Sequence, residues 1–340
     1  MDLTYTAEQE LLRKTVRQFV TDRVTPERLA EIADGPDGWD PGLWKETVEL
    51  GLTSVSLPEE LGGAGLGFVE EAIVAEEFGR GLFPGPWLGS VLARPALTGH
   101  VLQAVAAERH VTTLVGLTAP LVAEGSAVTG RADHVVDLAA ADLLVVLTGE
   151  GVFFVDRDET DWRLLPTVDG TRRLGQVALE STPAARVSGP DPRLAQQIRT
   201  RAHAALAAEA VGVASGAVEF AVEYAKERQQ FGRPIGSFQA VSHQVADAFM
   251  DAELARSLAM WAAAAVDAGD TTAPLAAATA KWFAAEAAMR ATERAIQVHG
   301  GIGFTWEHPL HRFYKRALWI ASQFGTGAEL RARAAASLLR

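Results

Sequence analysis

Near the start of the chain apolar residues recur at helical spacing, at Leu12, Val16, Phe19 and Val20, behind a Thr6 and Gln9 pair with the form of a capping box. Asp40 followed by Pro41 predicts a second helix start running through Trp44 and Val48, because proline fits the first helical turn, where its missing N–H goes unused. The stretch Pro58-Glu59-Glu60-Leu61-Gly62-Gly63 reads as a loop, and the helical period resumes from Phe68 to Phe78. Beyond residue 109 the period changes. Short apolar runs such as Leu143 to Leu147 and Val152 to Val155, separated by Gly and Asp, predict strands joined by tight turns. From Pro192 onward the chain is alanine-rich and helical again, with breaks near Gly232, Gly269 and Gly300. The pattern predicts a mainly helical α+β protein in three parts: a helical domain over 1–108, a small β domain over 109–188 and a helical bundle over 189–340.

Composition narrows the function classes. The 340 residues suffice for two or three subdomains and a large core. Forty-three acidic residues against 31 basic ones give a net charge of −12 without a basic block, which argues against a nucleic-acid partner. The sequence contains no cysteine, which removes thiolate chemistry. The apolar runs read as too short for a membrane span and the N-terminus lacks signal-peptide texture, so a cytoplasmic location is expected.

Candidate chemistry concentrates in two runs about sixty residues apart. The first is Glu227-Arg228-Gln229-Gln230-Phe231-Gly232-Arg233-Pro234-Ile235-Gly236-Ser237-Phe238-Gln239, and the second Gln297-Val298-His299-Gly300-Gly301-Ile302-Gly303-Phe304. Arg228 carries a fork of donors suited to a pyrophosphate, Phe231 a flat apolar face, and Gln239 an amide that both donates and accepts. Glycines at 300, 301 and 303 clear side chains from one patch of backbone. Taken alone, either run also reads as a helix end followed by a turn. Elsewhere, Gly63, Gly65 and Gly67 lack the preceding strand of a dinucleotide fingerprint. His308 and His311 lack a third metal ligand, and no metal site is expected. Trp261, Trp282 and Trp319 read as core or interface residues.

Together the two runs resemble the C-terminal signatures of the acyl-CoA dehydrogenases. The resemblance covers most of the chain, strongly over about 200–326, and it implies the family's fold: N-terminal helical domain, small β domain, C-terminal four-helix bundle. It also implies FAD at a subunit interface, contacted across that interface by Arg228, Gln230, Phe231, Phe238, Gln239, Gln297, Gly300, Gly301 and Thr326, with Arg228 and Gln297 facing a neighbouring subunit. In the middle the resemblance is poor. The family's Glu-Pro-x-Ala-Gly-Ser-Asp-like and Trp-Ile-Thr-Asn-like motifs, which hold the flavin ring and thioester, are absent between His110 and Ser188, where Leu117-Thr118-Ala119-Pro120 and Gly130-Arg131-Ala132 are remnants.

The family's reaction takes a proton from the carbon next to a thioester carbonyl while hydride leaves the neighbouring carbon, and a carboxylate in a dry pocket suits the first task. The family places that glutamate at one of two positions. Counted without a gap from Pro309, one falls on Phe324; counted back from Arg228, the other falls on Ala202. Neither residue can take a proton. His203, at a position usually arginine in the family, and Glu209, two helical turns beyond Ala202, are the substitute candidates, although a carboxylate inside an alanine-rich helix is more often paired structurally. Glu329 reads as the cap of the last helix.

Three readings follow. The resemblance favours a companion subunit of a bacterial hetero-oligomeric (α2β2) acyl-CoA dehydrogenase acting on steroid side-chain or other bulky CoA thioesters, with a longer partner supplying base and flavin-ring contacts and an electron-transfer acceptor reoxidising the flavin. The second is an active homo-oligomer using His203 or Glu209. The third is a flavin-free scaffold or CoA-thioester-binding protein, which would have no need of both Arg228 and the Gln297 patch.

Overall fold

The computed structural model describes residues 4–97, 102 and 110–339. Helices come first: α1 (Ala7–Arg23), α2 (Pro26–Asp34), α3 (Pro41–Glu49), α4 (Phe68–Arg80) and α5 (Trp87–Ala93). Strands β1 (Thr112–Val115) to β8 (Ala185–Ser188) follow, and then α6 (Leu194–Glu227), α7 (Gln239–Asp267), α8 (Ala273–His299), α9 (Leu310–Ser322) and α10 (Gly327–Leu338). The order helix, strand, helix matches the expected α+β, mainly helical class. The expected 108/109 boundary lies outside the described residues. By internal contacts the chain divides into two compact units, one of Met1–Arg28, Gly67–Phe83 and His203–Arg340, the other of Leu29–Leu66 and Pro84–Ala202.

The first unit is helical. The Thr6 and Gln9 capping box starts α1, and Thr326 with Glu329 forms another at α10, which gives Glu329 the capping part expected of it. Alanine dominates the buried face of α8, at Ala276, Ala280, Ala284, Ala287, Ala291 and Ala295 among others. These short side chains lose no rotamer entropy on burial and let neighbouring helices approach closely. Helices α4 and α6 come closer still. A Cβ on Gly212 would collide with the Glu76 carbonyl, and one on Gly79 with the Glu209 carbonyl. Because the obstacle is backbone, it cannot rotate away, so Gly212→Ala is expected to destabilise the protein by about 1–3 kcal/mol, as overpacking does. A denaturant midpoint unchanged from wild type would contradict this.

One correction concerns α6. It is long and apolar enough to cross a membrane by length and composition, contrary to the expectation from the sequence, but its most apolar window is 83% buried within the protein. Its alanines pack against protein, as in a core helix.

The second unit holds two four-stranded sheets: β1, β4 (Leu143–Thr148), β5 (Gly151–Asp156) and β8 in that order, and β2 (Val122–Glu124), β3 (Ala127–Val136), β7 (Leu174–Pro183) and β6 (Asp161–Leu165) in that order. The apolar runs read from the sequence become β4 (Leu143–Thr148) and β5 (Gly151–Asp156), an antiparallel hairpin in the register Leu144↔Val155 and Val146↔Phe153. Strand β1 pairs in parallel with β4. Between the sheets lies a core that includes Val128, Leu144, Val146, Phe153, Val177 and Leu179.

Candidate functional site

Helix α6 runs out at Glu227 into a two-stranded hairpin, Gln229–Gln230 against Arg233–Pro234. Phe231 and Gly232 turn it with φ of 52° and 76°. Two consecutive positive φ angles match the twist of a tight hairpin, and glycine accepts one of them without strain. The turn drives Phe231 outward, to 92% exposure. The Arg233 guanidinium lies over the Phe238 ring, 4.1 Å from its centroid, and Phe231 meets Phe238 edge to face at 6.1 Å. Arg228, Gln230 and Gln239 are all exposed. Among the described residues the Arg228 guanidinium has no ion-pair partner, so its donor fork points to solvent.

The second run caps α8. Gly300 leaves the helix at φ 63°, where a side chain would be strained, and a Cβ on Gly300 or Gly301 would meet nothing within 4 Å. Gln297, on the last turn of α8, is exposed. Sequence separation conceals how close the two runs are. The Arg228 N–H donates to the Tyr224 carbonyl, and the Tyr224 ring stacks on His299 with centroids 4.3 Å apart. His299 meets His308 at 4.4 Å, and His308 meets Phe220 at 5.5 Å. This column of rings joins the end of α6 to the end of α8. Burial lowers the His299 pKa, and burial, with His299 beside it, brings His308 down to about 4. Both stay neutral at pH 7, so the stack carries no like-charge repulsion. His311 is drawn elsewhere, edge to face with Trp306 at 4.6 Å. Among the described residues no three metal-ligating side chains converge.

At the two base positions, Ala202 is fully buried in α6, and Phe324 lies in the turn between α9 and α10 with φ 51°, followed by Gly325 at 118°. His203 is buried, and its Nε2 lies 2.9 Å from the Phe324 carbonyl oxygen. Since a carbonyl only accepts, Nε2 carries the proton and is committed to the turn. Glu209 is buried against a fully buried Arg316, whose Nη1 donates to Oε1 at 2.6 Å. Its carboxylate is thus held in an ion pair. The Thr326 hydroxyl is likewise engaged with Glu329, as the cap of α10.

The sequence reading passed over two buried cations here: Arg316, which holds Glu209, and Lys281, which holds the turn. Lys281 is 1% exposed and its Nζ donates to the Ala321 carbonyl at 3.0 Å and the Gly325 carbonyl at 2.7 Å. The signal available in the sequence was a lysine inside the alanine-rich first half of α8. Burial lowers the Lys281 pKa to about 8, with Glu329 opposing. The unfolded lysine therefore binds its proton more tightly than the folded one. Between about pH 8 and 10.5 the unfolded state holds more protons, so stability should rise with pH across that window, by on the order of 3 kcal/mol. Below pH 8 both states are charged and the term is constant. Comparing denaturation of wild type and Lys281→Met from pH 7 to 10.5 isolates it: the difference should change across the window, and a constant difference would count against the assignment.

Comparisons with known proteins complete the picture. Residues 6–108 match the model of the acyl-CoA dehydrogenase N-terminal domain and 193–339 that of the C-terminal domain. The chain is 36% identical over 333 residues to the acyl-CoA dehydrogenase IpdE2 of Mycolicibacterium smegmatis, covering 95% of this chain and 96% of that one. Among solved structures it resembles a Tcur3481-Tcur3483 steroid ACAD variant, with TM-score 0.88, 31% identity and 98% of each chain covered. It also resembles a chain of the ChsE4-ChsE5 complex from Mycobacterium tuberculosis, with TM-score 0.89, 28% identity and coverage of 100% of this chain and 99% of that one.

Proposed function

This chain belongs to the acyl-CoA dehydrogenase family, flavin oxidoreductases acting on CH–CH bonds, and we propose that it works within that family as the companion subunit of a hetero-oligomer. In this reading it serves FAD-dependent α,β-desaturation of a bulky acyl-CoA thioester by presenting Arg228, Gln230, Phe231, Phe238, Gln239, Gln297, Gly300 and Gly301 to a flavin seated mainly on a longer partner. Thr326 would contribute through its backbone, its hydroxyl being taken by the helix cap.

The observation that carries the reading is a contrast within one helical unit. The two runs that would contact a neighbour's cofactor expose Arg228, Phe231 and Gln297, while the position expected for the base holds Phe324. The residues present fit the cofactor: an unpaired guanidinium fork suits a pyrophosphate, and glycine backbone with open space before it admits close approach. When bound, FAD supplies the hydride acceptor. This chain's side chains would hold and orient it, and proton removal falls to the partner. Helix α7 follows directly from Gln239 and exposes Phe249, Met250 and Leu254, each more than half accessible, an apolar surface of the kind that subunits cover. The two-chain names of both solved neighbours support a two-chain assembly, and the steroid name of one supports a bulky acyl group. We place the complex in the cytoplasm, delivering electrons to an electron-transfer acceptor.

Flavin absorbance tests the reading. The chain purified alone is expected to be colourless or weakly yellow, and the complex with a glutamate-bearing homologue to retain flavin. Arg228→Ala in that complex should weaken FAD retention by about 10-fold or more, given the 1.5–3 kcal/mol typical of a hydrogen bond to a charged group. Full flavin content in the isolated chain, or retention indifferent to Arg228, would defeat it.

A further inference from the structure

A cavity of about 290 Å³ opens in the helical unit, away from the Phe324 turn. Among the described residues its walls come from Thr4, Tyr5 and Thr6 ahead of α1 and from α1, α4, α6 and α7. Ala72, Ala208, Ala259, Ala263 and Ala264 form much of the lining, with Val69 and Met260. Alanine at five wall positions leaves the space that larger side chains would fill. The volume is roughly twice that of a cavity of about 150 Å³ known to hold benzene, which suits a compact two-ring molecule.

One end of the cavity is polar. The Glu76 carboxylate is buried there, and its Oε1 accepts from Arg256 Nε at 3.1 Å and Arg80 Nη2 at 3.4 Å. The Tyr5 phenol stands at the same end. Burial, reinforced by Glu76, pushes its pKa well up, so the hydroxyl keeps its proton and remains a donor. Gln9 also lines this end, but its amide is committed, donating to Glu70 and accepting from the Thr6 N–H. Among the described residues the Tyr5 hydroxyl has no hydrogen-bond partner. A half-buried donor without an acceptor, above an alanine-lined apolar space, has the form of a small-ligand site: an apolar body with one fixed polar contact.

We propose that this cavity is a second small-molecule site, separate from the cofactor surface, which takes a compact bicyclic ketone or alcohol whose oxygen accepts a hydrogen bond from Tyr5. The apolar rings lie against the alanines of α6 and α7. The site does not depend on the companion-subunit reading, since none of its residues belongs to the FAD-facing set.

The test is titration calorimetry of the 340-residue chain with 1-tetralone, a two-ring ketone, and tetralin, the same skeleton without the oxygen. The ketone should bind with a Kd of about 0.1–1 mM, in keeping with its size, and tetralin about 5- to 10-fold more weakly. Tyr5→Phe should bring the ketone down to the tetralin affinity and leave tetralin unchanged. Ala264→Met, at a partly exposed wall position, should fill the space and abolish binding of both while thermal unfolding stays near wild type. No saturable binding up to about 5 mM would overturn the proposal. So would ketone binding that survives both substitutions, which would place the molecule elsewhere, or a Tyr5→Phe effect equal for ketone and hydrocarbon.

Discussion

Purified alone, the chain should turn over acyl-CoA thioesters about 10²- to 10⁴-fold more slowly than the same chain assembled with a glutamate-bearing partner, the factor a positioned general base typically contributes. The reason lies in four residues. In the proposed reading Phe324 and Ala202 stand where the family carries its base, and neither binds a proton. His203, beside Ala202, uses Nε2 on the Phe324 carbonyl, and Glu209 is tied to Arg316. Phe324→Glu tests the same point from the other side. The turn that would carry the new carboxylate is held by His203 and Lys281 from beneath, so the substitution has a firm platform. It should still leave the isolated chain inactive, because the strand region lacks the motifs that hold a flavin ring. Stopped-assay rates with an artificial electron acceptor, for chain alone, partner alone and mixture, decide the matter. A yellow, homo-oligomeric chain that is active by itself would reverse the conclusion and return attention to His203 and Glu209.

The second large effect is on stability. Glu209→Ala should destabilise the helical unit by about 3–5 kcal/mol, because it takes a hydrogen-bonded carboxylate away from a guanidinium held out of water. Arg316 is 0% exposed and Glu209 only 3%, so water cannot replace the lost partner without opening the packing of α6 against α9. The paired replacement Glu209→Leu with Arg316→Met should recover most of the loss, since it removes the buried cation together with its carboxylate. Urea midpoints for the single and double variants measure this directly. Equal destabilisation by the single and double variants would mean that packing, and not the ion pair, is what Glu209 supplies. A Glu209→Gln variant that keeps its stability yet abolishes turnover of the assembled enzyme would instead make Glu209 the base.

Some of the strands were harder to read than the helices, for a local reason. In β4 and β5 uninterrupted apolar runs pair residue for residue, and the sequence shows them plainly. Strands β3 (Ala127–Val136) and β7 (Leu174–Pro183) shift register between Val128 and Gly130 and between Ala132 and Val135, and His134 sits at φ 60°. A bulge moves later side chains to the other face, which scrambles the two-residue period by which a strand is recognised.

By itself the sequence determined the helix starts, since capping residues and proline act on the turn beside them, and it picked out the two candidate runs, since glycine, arginine and phenylalanine state their chemistry by type. It also determined that Phe324 and Ala202 cannot act as bases, because a side chain without a titratable group has none in any fold. Only the tertiary structure decided which charges were occupied. Glu209 meets Arg316 across 107 positions of chain, and Lys281 reaches carbonyls 40 and 44 positions away. The same holds for the ring column that brings Tyr224 to His299, and for the alanine-lined space beneath Tyr5. Hydrogen bonds and ion pairs act over a few ångströms, so whether a titratable group is free depends on which distant segments packing brings beside it, and residue type alone carries no record of that.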